Sequence, residues 1–185
     1  MSYSKKNRRL MHSRWHYGVP AILLHWLLAI LVSSLAGLGW YMLSIEDRPG
    51  SGWYVDLHKS LGLVVFALVV MRWIWRIGHQ PGPLPASVSV LQSRVAVLTH
   101  WLLYACLFLM PVTGIAGASF SKDGLIFFGT RLPRLVTPNH DLAERFFDLH
   151  GIVIWVLVGL IAIHVLASLK HLLIDKDGVF QRMWF

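Results

Sequence analysis

Five histidines, His25, His58, His100, His150 and His164, lie inside or at the edges of long apolar runs. An imidazole in hydrocarbon loses its hydration and must find a partner, which makes an ionisable residue in such a place a functional candidate. The chemistry open to it is metal ligation through a neutral ring nitrogen, with haem iron the best match. His150 and His164 carry the sharpest signal. They are fourteen residues apart on one continuous apolar stretch. At about 100° per residue both leave nearly the same helix face, separated by about 21 Å in depth. One face with two depths predicts two cofactors.

The elements that must hold these residues are membrane helices. Hydrophobic residues make up 56% of the 185 and charged residues 14%, with nine Trp. That balance excludes an ordinary soluble domain. Four apolar segments run near 20–43, 57–77, 95–119 and 149–174, each close to the roughly 20 residues a helix needs to cross hydrocarbon. Only internally closed hydrogen bonding survives in lipid, so the chain reads as all-α, one integral membrane four-helix bundle over 1–185. The connections are Glu46-Asp47-Arg48-Pro49-Gly50, a proline-rich stretch from Gly78 to Pro85, and a longer stretch from Ser121 to Asp148. Pro111 falls inside the third span and predicts a kink. Ser34-Leu35-Ala36 has the look of a cleavage site behind a basic tail. The apolar run nevertheless continues through Leu43 and contains His25-Trp26, so the first span is read as a retained helix. The single cysteine, Cys106, excludes an internal disulfide and a cysteine zinc site.

Orientation follows from Lys and Arg. Lys5, Lys6, Arg8, Arg9 and Arg14 in the N-terminal tail, Arg72, Arg76 and Arg94 at the second connection, and Lys170, Lys176 and Arg182 at the C-terminus share one side. The other side has Arg48, Lys59, Lys122, Arg131, Arg134 and Arg145, together with seven of the nine carboxylates. Both termini should therefore be cytoplasmic. The net charge of +8 then serves orientation, and a nucleic-acid role has no support. In this topology His25 matches His164 in depth near the inner face, and His58 matches His150 near the outer face. Two pairs at two levels are what two six-coordinate haems require.

The residues also carry a resemblance. The run Tyr17-Gly18-Val19-Pro20-Ala21-Ile22-Leu23-Leu24-His25-Trp26-Leu27 opens it, followed by His58-Lys59-Ser60-Leu61-Gly62 and by Val70-Met71-Arg72 with Arg76. Together with the series His150, His164, His171, Lys176-Asp177 and Arg182-Met183, these resemble the bacterial cytochrome b561 family. The resemblance covers nearly the whole chain. It implies a multi-pass protein of the bacterial inner membrane holding two haems b per chain, with His25, His58, His150 and His164 as iron ligands. Members of that family include superoxide oxidases that reduce ubiquinone, which implies the same donor and acceptor here. It also points to His171 as a quinone contact; from the residues alone His171 reads first as an interfacial structural histidine. His100 is a weaker candidate for the same pocket.

Other residues keep two readings. Gly62 lies one turn after His58, where a missing side chain lets a macrocycle approach the backbone or lets helices pack closely. Arg72 and Arg76 are one turn apart near the inner face and either hold haem propionates or snorkel to headgroups. Arg131 and Arg134, with Lys59 and Arg145, are placed to draw an anion toward the outer haem. Over Ser121 to Asp148, however, cations and carboxylates balance, so only the folded arrangement decides whether a positive funnel exists. Bis-histidine ligation leaves no open iron position and favours outer-sphere electron transfer. The function expected is transfer of electrons from superoxide outside to quinone in the membrane. Two alternatives remain: a haem-bearing anchor fed by a dehydrogenase or hydrogenase partner protein, and a metal-ion transporter, which lacks the intramembrane carboxylates such cations recruit.

Overall fold

The computed structural model describes residues 17–79, 82–83, 85 and 87–184. Lys5, Lys6, Arg8, Arg9, Arg14, His12 and His16 lie outside them. Four long helices, α1 (Val19–Ser44), α2 (Ser51–Gly78), α3 (Val90–Phe120) and α4 (His140–Lys170), make up the fold. The last continues as a π-helical turn over His171–Asp175. All four are long and apolar enough to cross a membrane. The architecture is an all-α membrane four-helix bundle.

Local chemistry explains the helix ends. Pro20 sits in the first turn of α1, where its missing N–H costs nothing. Ser89 and Gln92 form a reciprocal capping box at the start of α3. Asn139 caps α4 by accepting from the Leu142 N–H at 3.0 Å, while its own N–H donates to the Phe120 carbonyl at 2.9 Å. The end of α3 and the start of α4 are thereby tied together.

The three later helices all begin ahead of their apolar runs, α3 at Val90 rather than Val95. The second helix begins at Ser51, ahead of the apolar run at Leu57, and the fourth begins at His140, ahead of Leu149. Hydropathy marks the apolar run, whereas backbone hydrogen bonding marks the helix, and here the helices extend past their apolar runs. His58 and His150 therefore lie well inside their helices. The third connection is correspondingly shorter, and within it Lys122, Arg131 and Arg134 face a single carboxylate, Asp123. The third helix runs continuously through Pro111.

That connection also contains a small hairpin the sequence did not announce, β1 (Ile126–Phe127) antiparallel to β2 (Thr130–Arg131). Phe128 and Gly129 both take positive φ, 44° and 83°, as a tight two-residue hairpin turn requires. Ser60 of α2, fully buried, docks it: its hydroxyl accepts from the Phe128 N–H at 2.9 Å and donates to the Asp56 carbonyl at 2.6 Å.

Two aliphatic clusters close the middle of the bundle. Leu28, Leu35, Val65 and Val69 join α1 to α2, and Cys106, Val153 and Leu157 join α3 to α4, with Val32 and Leu107 packed against both. The extensive helix contacts are α3 with α4, α1 with α2, and α2 with α3. Neither α1–α4 nor α2–α4 is among them. At the far end Lys176 and Gly178, both at positive φ, turn the chain back. The 3-10 turn Phe180–Met183 then docks on α1, where the Trp26 indole N–H donates to the Met183 carbonyl at 2.9 Å.

Candidate functional site

The two helix pairs that do not pack closely meet through histidines. His25 of α1 faces His164 of α4 with ring centres 6.2 Å apart and planes at 75°. His58 of α2 faces His150 of α4 with ring centres 6.2 Å apart and planes at 76°. Two sites at opposite depths thus have one geometry, with the aliphatic clusters between them.

The spacing has a direct chemical meaning. An imidazole nitrogen binds a metal at about 2 Å, and the ring centre lies roughly 1.1 Å behind it, so two imidazoles on opposite sides of one metal have centres about 6.2 Å apart. Both pairs fit a bis-histidine haem iron. The tautomer of one of the four rings agrees. His150 Nδ1 lies 2.9 Å from the Met110 carbonyl oxygen and 3.2 Å from Thr113 Oγ1. A carbonyl only accepts, so the proton is on Nδ1 and Nε2 is left as the ligand atom. His58 Nδ1 is buried with no hydrogen-bond partner among the described residues, an unsatisfied group that asks for a further occupant nearby.

Glycines flank both rings of the second pair, though only Gly114 is crowded enough to need its missing side chain. A Cβ on Gly39 would lie 3.5 Å from His58 Cε1, and one on Gly114 would lie 3.1 Å from His150 Cε1. Gly62, the glycine singled out in the sequence, instead fronts open space. Sequence reasoning did not single out Gly39, Gly114 or Thr113, since the only available signal was a small residue in an apolar helix. His100 sits beside the His25–His164 pair, its ring centre 5.4 Å from that of His164. Its Nδ1 donates to the Ala96 carbonyl at 2.6 Å.

At the same end, Arg72 donates to the Ala21 carbonyl at 2.8 Å. Arg76 reaches the Tyr17 hydroxyl at 3.5 Å and lies over the Tyr104 ring, 5.5 Å from its centre. His171 begins the π turn, with Nδ1 2.7 Å from an Asp177 carboxylate oxygen and 3.4 Å from Asp175. The carboxylate again puts the proton on Nδ1 and frees Nε2. Burial pushes the Asp177 carboxyl up, but the Val179 N–H and the His171 ring outweigh it and hold it below the usual carboxylate value. No pattern in the sequence signals this partnership, because it depends on the chain turning back after Lys176.

At the opposite end, Arg131 stands exposed on β2, whereas Arg134 is engaged with the carbonyls of Ser121 and Lys122. Lys59 donates to the Gly124 carbonyl at 3.3 Å and pairs with Asp56 at 4.0 Å. The structure therefore brings the four named histidines into two pairs and gives the two arginines different surroundings. Both are exposed, and Arg134 in addition holds its loop.

Residues 16–185 match the family profile described as prokaryotic cytochrome b561. The chain is 34% identical to cytochrome b561 homolog 2 of Escherichia coli (strain K12), over 90% of each chain. It is 29% identical to cytochrome b561 homolog 1 of the same organism, over 88% of this chain and 93% of that one. It is also 26% identical to the probable superoxide oxidase CybB of Yersinia pestis, over 94% of this chain and 97% of that protein.

Proposed function

The chain belongs to the prokaryotic cytochrome b561 family of membrane electron-transfer proteins, and we propose that it holds two haems b, one between His25 and His164 and one between His58 and His150. We further read it as a protein of the bacterial inner membrane with both termini cytoplasmic, oxidising superoxide at the outer face and reducing ubiquinone near the inner one. The observation that carries this reading is the equal 6.2 Å separation in both histidine pairs. The likeness to a probable superoxide oxidase along nearly the whole chain supports the choice of donor.

Haem b, when bound, supplies a reversible one-electron carrier at each level. The protein's own residues do the rest. Met110 and Thr113 fix the His150 ring, and the hairpin docked on Ser60 covers the outer end of α2. Arg131 offers an exposed positive charge to an approaching anion. Reduction of one quinone takes two electrons, from two superoxide anions that each become dioxygen, and two protons. His171, its Nδ1 proton held by Asp177, presents Nε2 at the inner end to orient a quinone carbonyl and relay a proton.

A pyridine haemochrome assay against protein concentration should return about two haems per chain. Stopped-flow mixing with superoxide should reduce the haems, and added ubiquinone should reoxidise them. A stoichiometry near one would break the pairing. Haems that superoxide leaves oxidised would instead favour feeding by a partner dehydrogenase or hydrogenase.

A further inference from the structure

The hairpin in the third connection packs on the outside of the bundle. His58, Val65 and Val69 of α2 share one face, because separations of seven and eleven residues are close to two and three whole turns. That face is the inner one: His58 meets His150, and Val65 and Val69 belong to the cluster with α1. Ser60, two residues after His58, lies about 200° round the helix from it. The hairpin, held by Ser60 through the Phe128 N–H at 2.9 Å, therefore sits against the outward face of α2, away from both histidine pairs.

Its depth follows from the same bond. The apolar run of α2 from Leu57 to Ile77 is about as long as a hydrocarbon core requires, which puts Leu57 at one edge of that core. Ser60 is about 4.5 Å further in along the helix, so the hairpin reaches the level of that edge. Non-helical backbone survives there only when protein groups satisfy it. Besides the Ser60 bond and the β1–β2 pairing, the Gly124 carbonyl accepts from Lys59 Nζ at 3.3 Å, and the Leu132 N–H donates to the Leu125 carbonyl at 3.0 Å.

The hairpin presents aromatic rings. Phe127 and Phe128 are 40% and 56% exposed, with their rings edge to face at 4.8 Å. Phe128 holds a φ of 44°, a conformation that glycine would take with less strain. More than half of its surface nevertheless finds no cover among the described residues. On an outward face at the hydrocarbon edge the available partner is lipid, and aromatic side chains concentrate at that level.

We propose that this hairpin is a membrane-surface anchor, with Phe127 and Phe128 inserted between the headgroups and acyl chains of the leaflet at the His58–His150 end. Depth and outward placement together assign the rings to lipid rather than to a protein partner. The anchor rests on the membrane span of the helices and does not depend on haem, superoxide or quinone.

The test is photocrosslinking of the full chain in phosphatidylcholine nanodiscs and in native membranes, with p-benzoylphenylalanine placed at Phe127 or at Phe128. Its excited ketone inserts into C–H bonds and is idle toward water. The same probe at Ile152, exposed within the apolar run of α4, reports contact with acyl chains, and at Asp47, exposed in the polar first connection, it reports water. By intact mass, the yield of lipid adduct in nanodiscs at either phenylalanine should approach that at Ile152 and exceed that at Asp47 about tenfold. A yield at both positions no higher than at Asp47 would overturn the proposal and put the hairpin in water. So would crosslinks in native membranes that join the chain to a second copy or to another protein in place of lipid, which would make the phenyls a protein-docking surface. Each probe replaces one aromatic ring by another, and if the variant at Phe128 folds poorly the one at Phe127 still decides.

Discussion

His150 of α4 donates from Nδ1 to the Met110 carbonyl of α3 across 2.9 Å, and Thr113 stands at 3.2 Å from the same nitrogen. The carbonyl lies in the helix that supplies no ligand to either pair, so α3 acts as a template that holds the ring of α4 in place. Thr113→Val keeps the carbonyl bond and removes the hydroxyl. The expected outcome is about tenfold weaker binding of the outer haem, read by haem titration, with the inner haem unchanged. An unaltered titration would remove Thr113 from the site.

Gly114 tests the same ring sterically. A Cβ there would lie 3.1 Å from His150 Cε1, closer than carbon atoms rest without displacement. Gly114→Ala should therefore perturb the outer haem alone, as a shifted low-spin signal in electron paramagnetic resonance. In Gly62→Ala, the new methyl meets no described atom within 4 Å beyond its own stretch of helix. An effect of that variant on the spectrum would show that the open space beside Gly62 is filled by the macrocycle.

Ligand removal should divide the chain by depth. His58→Ala should abolish the outer haem and His25→Ala the inner, because each removes one member of a 6.2 Å pair. His164→Ala leaves His100 beside the vacated position, so the inner haem in that variant should be retained in part with a changed spectrum. Two intact six-coordinate haems in His58→Ala would refute the assignment.

The outer arginines should not behave alike. Arg131 is exposed, and Arg131→Gln should slow haem reduction by superoxide and flatten its dependence on ionic strength, since screening acts on long-range steering. Arg134 ties its loop to Ser121 and Lys122, so Arg134→Gln should also loosen the hairpin. Ser60→Ala strands the Phe128 N–H and should cost about 1–3 kcal/mol, visible as faster amide exchange across residues 124–131.

Asp177 predicts an acid response. Its folded carboxyl is held below the ordinary value, so its contribution is complete above the unfolded pKa of about 3.9 and disappears as pH falls through the lower folded value. Relative to Asp177→Asn, the wild type should have a higher melting temperature at neutral pH, and the gap should close only below about pH 4. In the same variant, quinone-dependent reoxidation should slow while reduction by superoxide remains intact. A gap that persists unchanged far below that pH would exclude the His171–Asp177 hydrogen bond as its source.

Much of this protein is legible in one dimension because lipid leaves the backbone few choices. Four apolar runs must be four helices, and on a regular helix a fourteen-residue separation fixes two histidines to one face at two depths. Matching His25 to His164 and His58 to His150 needed only an up-and-down path across a membrane. Hydropathy misplaced the starts at Ser51 and His140 because polar residues continue both helices ahead of their apolar runs, and at the fourth helix the Asn139 cap sets the end. Everything that depends on a neighbour distant in sequence was left to the fold. The Met110 carbonyl lies opposite His150, Gly39 lies under His58, and Ser60 anchors a hairpin sixty-eight residues away. Periodicity orders residues along one helix, but it carries no information about the rotation and axial shift of one helix against another. Those two quantities decide which carbonyl, glycine or guanidinium meets each imidazole, and only packing in three dimensions sets them.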